Sequence, residues 1–334
     1  ILQSFLQKKH TDVFVKIFNK DGDLEVRWPT PKDNPLVSVV IATAAKDPAI
    51  LSQCIKGLLS NTDYPNLEFV FVLNNLFVTS ARSYLRKLAD DDARIKILEF
   101  EGLFNYSKIH NFAIPQTKGK YIIMLNDDVE ITQKDWVSRL LGFCTRSEIG
   151  IAGVKLLYPD KTLQHAGVTV GLWGAADHPF KRLPESFSGP NKKLELHHNL
   201  SAVTAACMMF RREVFDEVLG FEEKLSVAFN DVDFCLRVHD AGYYNVLVPS
   251  VTLIHHESLS RGYDKVNPAK RRRHLDEIQF LRTRWSQYVV DDPYYNPNLN
   301  LSSLDATLSE QPRLKQAWTK ESDSSSFKEF VIKV

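Results

Sequence analysis

The sequence narrows its own reading first through what it has little of. No apolar run approaches the roughly 18 residues that a membrane-crossing helix needs. No succession of charged, apolar and small residues typical of a secretory leader opens the chain. Four cysteines, at positions 54, 144, 207 and 235, are scattered through apolar segments without a CxxC pair. That argues against a thiolate metal cluster or a disulfide framework and favours a reducing, cytoplasmic setting. Neither sign of charge dominates: 42 Lys and Arg stand against 41 Asp and Glu, a net charge of +1, so no nucleic acid partner is expected. The fingerprint GxGxxG is missing after the first strand pattern, where ATAAKD (42–47) stands. Its absence argues against a nicotinamide or flavin enzyme. No internal repeat is visible. The chain opens on Ile1 rather than Met, and reads as part of a longer polypeptide with further domains.

What is present is ordinary globular composition, 44% hydrophobic and 25% charged over 334 residues. That suits one large α/β domain with extensions, or two domains. Residues 1–34 hold a short helical pattern and a candidate strand pair about Lys20-Asp21-Gly22, and Pro29, Pro31 and Pro35 read as a linker. From Leu36 the pattern alternates between strand and helix. Buried strands are expected over 37–43 (VSVVIAT), 67–73, 95–100, 121–125, 149–157 and 201–210, with helices opened by Pro48 and over 107–114 and 136–144. Such alternation implies a mostly parallel, Rossmann-like sheet flanked by helices. A long loop rich in Gly, Pro, His and Lys spans 173–200, the kind of segment that serves as a lid. Strand patterns over 244–249 and 251–254 follow, then a helix over 267–290 that starts Lys270-Arg271-Arg272-Arg273. That basic run is either a solvated helix face or a peripheral contact to the anionic inner face of a membrane.

The sequence is organised around 121–131, YIIMLNDDVEI. Its apolar start reads as a central parallel strand, and ligands of open α/β sheets bind beyond the carboxyl ends of such strands. There Asn126, Asp127 and Asp128 either make a strand-ending turn or hold a hard divalent cation through oxygen. Asn230, Asp231 and Asp233 open a helix pattern in FNDVDFCLRVHDAGY (229–243). They exceed what a helix cap needs, although carboxylates suit helix starts. His255 and His256 end a strand pattern, where a histidine is either structural or a ligand.

Taken in order, VSVVIAT, LNDDVEI, FNDVDFCLRVHDAGY and IHHESLSRG (254–262) resemble the motifs of glycosyltransferase family 2, whose fold is GT-A. FNYSKIHN (104–111) and DKTLQHAGV (160–168) are similar to its O-antigen and surface-polysaccharide group, often called rhamnosyltransferase-like. The resemblance covers 35–262. It implies an arm and linker at 1–34, a GT-A domain at 35–262 and a C-terminal helix and extended tail at 263–334. The activity it implies is inverting, metal-dependent transfer from a nucleotide-diphosphate sugar to a hydroxyl of a glycan or lipid-linked saccharide acceptor. By the same resemblance Asp128 and His255 hold Mg²⁺ or Mn²⁺, and Asp231 is the general base. Asn126 and Asp127 contact the donor, and Thr43, Asn74 and Asn111 match donor-site segments. His255 is preferred to His256 because it lies five positions before Ser260, the spacing of the family.

Two departures fall in the nucleotide pocket. The family's second strand ends Val-Asp-Asn-Gly-Ser, but here Leu73 stands where its carboxylate would be, and Ala44 and Ala45 follow Thr43 in place of polar residues. They keep open an alternative, a catalytically degenerate GT-A domain acting as scaffold or acceptor-binding module. Sugar-nucleotidyl transfer on a similar sheet would need a Gly- and Lys/Arg-rich phosphate loop, which ATAAKD lacks.

Overall fold

A computed structural model describes residues 1–8, 12–17, 22–44, 47–74, 79–256 and 267–313. The N-terminal arm holds helix α1 (Leu2–Leu6) and the antiparallel pair β1 (Phe14–Ile17) and β2 (Leu24–Arg27). Then follow β3 (Val37–Thr43), α2 (Pro48–Ser60), β4 (Leu67–Asn74), α3 (Thr79–Asp91), β5 (Ile95–Phe100), α4 (Tyr106–Ala113) and β6 (Tyr121–Leu125). Beyond a turn come β7 (Val129–Glu130), α5 (Trp136–Cys144), β8 (Ile149–Leu157), β9 (Leu163–His165) and the small pair β10 (Thr169–Val170) and β11 (Ala176–Asp177). The chain continues through β12 (His198–Leu200), β13 (Cys207–Arg211), α6 (Arg212–Glu217), α7 (Asn230–Asp240), β14 (Tyr244–His255), α8 (Pro268–Arg284) and α9 (Ser286–Val290).

One ten-stranded sheet runs in the order β12-β14-β8-β13-β6-β3-β4-β5, with β7 added on β14 and β9 on β8. The strands β3, β4, β5, β6, β8 and β14 share one direction, and β13, β12, β7 and β9 run against them. The sheet is therefore mixed but mostly parallel. Every residue of β6 and β8 is buried, because helices cover both faces, as an apolar strand without alternation requires. One core packs Leu51, Ile55, Leu85 and Trp136 from α2, α3 and α5 against Val39, Ile41 and Ile123. The other packs Ile109, Val232, Leu236 and Leu281 from α4, α7 and α8 against Val40, Met124 and Phe210.

Local chemistry sets these elements. Asp47 accepts from Ala49 N and Ile50 N and Pro48 fills the first turn of α2, so two orphan donors are satisfied and none is lost to the proline. The arm docks on α5. Glu25, 7% exposed, lies 2.5 Å from the Arg139 guanidinium, and a Cβ on Gly142 would come within 2.4 Å of Trp28 O. No helix among the described residues is long and apolar enough to cross a membrane.

The sequence reading differs from the structure in five places. Helix α3 was not anticipated; its side chains are mostly polar, and among its residues of described burial Ala81 and Leu85 are the buried ones. The expected strand 201–210 starts only at Cys207. Before it, Ser201 Oγ is drawn to Asp292 at 2.6 Å and Ser201 O to Asn245 Nδ2 at 2.9 Å. The strand expected to stop at Asn126 does so as β6, but past the turn 126–128 the chain adds the short strand β7, which pairs with β14. The two patterns at 244–254 form the single strand β14, whose pairing with β8 shifts register between Val248 and Thr252. The helix expected over 267–290 breaks at Trp285, whose indole N–H turns inward to Asp233 Oδ1 at 2.9 Å. Ala45, Ser260 and the junction drawn at 262/263 lie outside the described residues.

Candidate active site

Strand β6 delivers Asn126, Asp127 and Asp128 to the carboxyl edge of the parallel strands. The chain turns there because Asn126 O accepts from Val129 N at 3.3 Å, while Asn126 N donates to Ala206 O at 3.0 Å. The neighbouring end of β3 brings Thr43, whose hydroxyl donates to Asp127 Oδ2 at 2.5 Å. From the antiparallel β7–β14 pair comes His255, opposite Val129. Its Nε2 lies 3.0 Å from Asp128 Oδ1 and 3.4 Å from Asn126 Nδ2. Asp128 and His255 are both buried, and His255 Nδ1 has no hydrogen-bond partner among the described residues. His256 turns elsewhere: its ring meets Glu130 Oε2 at 3.2 Å and its backbone N–H donates to Asp128 O.

This donor set fits a hard cation. Ligand bonds of about 2.1 Å at right angles place neighbouring donors about 3 Å apart, the separation of Asp128 Oδ1 and His255 Nε2. Among the described residues no group of three or more His, Cys, Asp or Glu gathers as a closed cage. A pair of protein ligands leaves the rest of the coordination sphere to water and diphosphate oxygens, as for magnesium.

Asp231 stands in the first turn of α7. Its Oδ2 accepts from Ala205 N at 3.1 Å and its Oδ1 from Val232 N at 2.9 Å. Since Ala206 O holds Asn126 N, the two residues just before β13 tie Asp231 to the turn at 126–128. Burial pushes the Asp231 carboxyl above its ordinary range, against the lowering by the Ala205 and Val232 N–H groups and Thr204. Behind this lies a histidine pair that the DKTLQHAGV stretch contributes to. His165 Nδ1 and His178 Nδ1 are 2.6 Å apart, and His165 Nε2 faces the N–H groups of Gly167 and Thr204 at 3.4 Å. Burial first, then the nearby Lys181 and His255, depress His178 to about 3, and His165 is likewise held well below its usual value.

The structure thus gathers Thr43, Asn126, Asp127, Asp128 and His255, with Asp231 joined through Ala205 and Ala206. Two residues expected at the donor are engaged elsewhere. Asn74 spends its amide N–H groups on Phe100 O and Gly102 O, at 3.3 and 3.1 Å. Asn111 clamps α4 to Phe221, donating to its carbonyl and accepting from its N–H, and a second donor contact reaches Glu223 Oε1. In this structure both side chains therefore serve as ties within the protein, Asn74 through its two amide N–H groups and Asn111 through both its oxygen and its nitrogen. What the sequence reading missed is Ala205, which acts through a backbone N–H and leaves no side-chain signal. It also missed the Trp285 indole on Asp233, which a tryptophan beneath an acidic turn could have signalled.

A family model described as glycosyl transferase family 2 matches residues 38–219. Over 284 residues the chain is 40% identical to the uncharacterized protein y4gI of Sinorhizobium fredii, covering 84% of this chain and 31% of that one. Over 296 residues it is 36% identical to the O-antigen biosynthesis protein RfbC of Myxococcus xanthus, covering 86% and 22%. The chain therefore spans under a third of the length of these curated relatives. Among solved structures it is similar to the mannosyltransferase PcManGT from Pyrobaculum calidifontis in complex with GDP-Man and Mn²⁺. That match has a TM-score of 0.54 and 15% identity, over 85% of this chain and 71% of that one. GalNAc-T7 with UDP, GalNAc and Mn²⁺ matches at a TM-score of 0.54 and 16% identity, over 67% and 44%. At such identity these two show the fold alone, which is GT-A.

Proposed function

The chain belongs to glycosyl transferase family 2, and from that premise we propose that it transfers a sugar, with inversion, from a nucleotide-diphosphate donor to a hydroxyl of a glycan or lipid-linked saccharide acceptor. The observation that carries this reading is the 3.0 Å meeting of Asp128 Oδ1 and His255 Nε2 at the carboxyl edge of the sheet. Magnesium or manganese bound by that pair would neutralise the diphosphate as it leaves. Thr43 fixes the Asp127 carboxylate at 2.5 Å, and Asn126 and Asp127 face the donor from the same turn. Asp231 takes the proton of the acceptor hydroxyl. A carboxyl raised by burial is a stronger base for that step than an exposed one, and a positioned base contributes about 10²–10⁴ in rate. Residues 35–262 form the transferase unit in this reading, between the docked arm at 1–34 and the C-terminal helices. Nucleotide and Mn²⁺ in the two similar structures and the RfbC relative support a nucleotide-sugar donor and a role in surface-polysaccharide synthesis. Four buried, unpaired cysteines support a reducing, cytoplasmic setting.

Melting the chain with UDP, GDP, dTDP or CDP, each with and without manganese or magnesium, tests the site. Ligand at about a hundred times its Kd adds roughly 2.7 kcal/mol of stability. The reading expects a shift from one nucleotide that needs the metal and vanishes in Asp128→Ala. No shift with any nucleotide and either metal would instead favour a degenerate scaffold. Two features favour that second reading: Leu73 is 2% exposed at the end of β4, and the Asn74 amide is committed to the backbone.

A further inference from the structure

The turn that presents Asp231 is not capped by its own sequence. Helix α7 begins after Phe229, which sits in the left-handed region at φ 60° and offers no side-chain cap. The preceding N–H groups are satisfied from far along the chain. Glu277, on α8, accepts at Oε1 from Ser226 N at 2.8 Å, from Ser226 Oγ at 2.9 Å and from Val227 N at 2.9 Å. Its other oxygen accepts from Ala228 N at 3.2 Å. Glu277 is 3% exposed and shares the inward face of α8 with Leu281, four residues on and fully buried. An apolar residue would pack such a face at less desolvation cost, since a buried carboxylate is tolerated only when its oxygens are bonded. Three consecutive backbone N–H groups on one carboxylate explain the charge at this position.

The far side of Asp231 is held from the same direction. Asp233 is fully buried; its Oδ1 accepts from the Trp285 indole at 2.9 Å and its Oδ2 from Arg237 Nε at 2.8 Å. Across the turn, α4 adds its own ties: Tyr106 N donates to Ser226 O at 2.8 Å and Ser107 Oγ to Leu225 O at 2.7 Å. The Asp231 carboxylate accepts from Ala205 N and from Val232 N, so its place depends on where this turn is fixed. We propose that Glu277 is a positioning residue, which aims Asp231 at the acceptor by anchoring the backbone of 226–228. The inference rests on Asp231 as the base, and places a determinant of the chemistry beyond the residues 38–219 that the family model matches. A displacement of about 1 Å at a reacting group costs on the order of a hundredfold in rate.

The test uses Glu277→Gln, which keeps the shape of the side chain but replaces one acceptor oxygen by a donor. Glu25→Gln serves as a control, a second buried carboxylate that ties the N-terminal arm to α5. Release of nucleoside diphosphate, with water as the hydroxyl that receives the sugar, is followed with UDP-glucose, GDP-mannose and dTDP-rhamnose, together with nucleotide Kd and hydrogen exchange at the amides of 226–228. The expected result for Glu277→Gln is faster exchange at those amides, kcat down about a hundredfold and an unchanged nucleotide Kd. Glu25→Gln should lower the melting temperature and leave kcat alone. Unchanged exchange, or faster exchange with wild-type kcat, overturns the inference. Failure of the underlying reading is separate, because then Asp231→Asn itself would turn over at the wild-type rate. Should none of the three donors react, the Asp231 carboxyl is titrated by carbon-13 NMR in wild type and Glu277→Gln, and an identical midpoint overturns the inference.

Discussion

Arg211 offers a stability prediction whose size can be built from its contacts. The side chain is 5% exposed at the end of β13. Its Nη1 donates to Cys144 O, Arg146 O and Ile149 O at 2.8, 2.9 and 2.7 Å, its Nη2 to Ser147 O at 3.1 Å, and its Nε to Glu213 Oε1 at 2.6 Å. It therefore gathers the carbonyls of the bend between α5 and β8, where a cation also suits the helix C-terminus. Arg211→Met keeps the length and removes every donor. The bonds to Cys144 O and Ile149 O are buried, and a hydrogen bond to a charged group contributes about 1.5–3 kcal/mol, so the pair gives about 3–6 kcal/mol. Contacts to Arg146, Ser147 and the 66% exposed Glu213 add little, because water replaces a partner there. Urea unfolding followed by circular dichroism would read the change as a lower midpoint at constant m. Arg211→Lys, with a single ammonium in place of the fork, should lose less. A loss under about 1 kcal/mol for the methionine variant, at unchanged m, would refute the reasoning, since the carbonyls must then find other partners.

Two further outcomes follow from the site. Asp231→Asn should lower turnover by about 10²–10⁴ while raising stability at neutral pH. Burial lifts the folded-state carboxyl above its model value of 3.8. The wild type therefore has its full Asp231 contribution below that value and loses it as pH rises through the folded pKa. The variant stays neutral, so the gap in urea midpoint should open as pH rises above the ordinary carboxylate range; a gap that is constant or reversed sinks the assignment. Asn111→Ala should destabilise by about 1–3 kcal/mol, through the unpaired Phe221 backbone. It should leave the nucleotide-induced melting shift intact, and a lost shift at retained stability would return Asn111 to the donor.

The parts legible in the sequence were those with a local signature. Val37–Thr43, Ile95–Phe100, Trp136–Cys144 and Ile149–Leu157 occupy the expected bounds, because continuous apolar runs and helical spacing are properties of neighbours along the chain. The polar break at Asn126 likewise announced the end of a buried strand. What stayed hidden was decided by partners far away. Asn111 reads like a ligand-contacting amide in FNYSKIHN, yet its partners lie 110 and 112 positions on. Ser201–Ala206 has the composition of a strand, but Asn245, Asp292 and Asp231 claim its polar groups before β13 begins. Glu277 has the look of one more surface charge on a basic helix until the turn at 226–228 is seen to need it.

The joints of the site span much of the chain: Thr43 to Asp127 is 84 positions, Asp128 to His255 is 127 and Asn126 to His255 is 129. Closing a loop of that length costs roughly 4 kcal/mol of chain entropy before the contact is made. No segment of the chain can therefore rehearse the site on its own. During refolding the local α/β units can bury their apolar faces early, whereas the cation pair waits for β14 to reach its place beside β8. Metal-dependent nucleotide binding would thus be among the last properties to return, and would report completed topology rather than collapse.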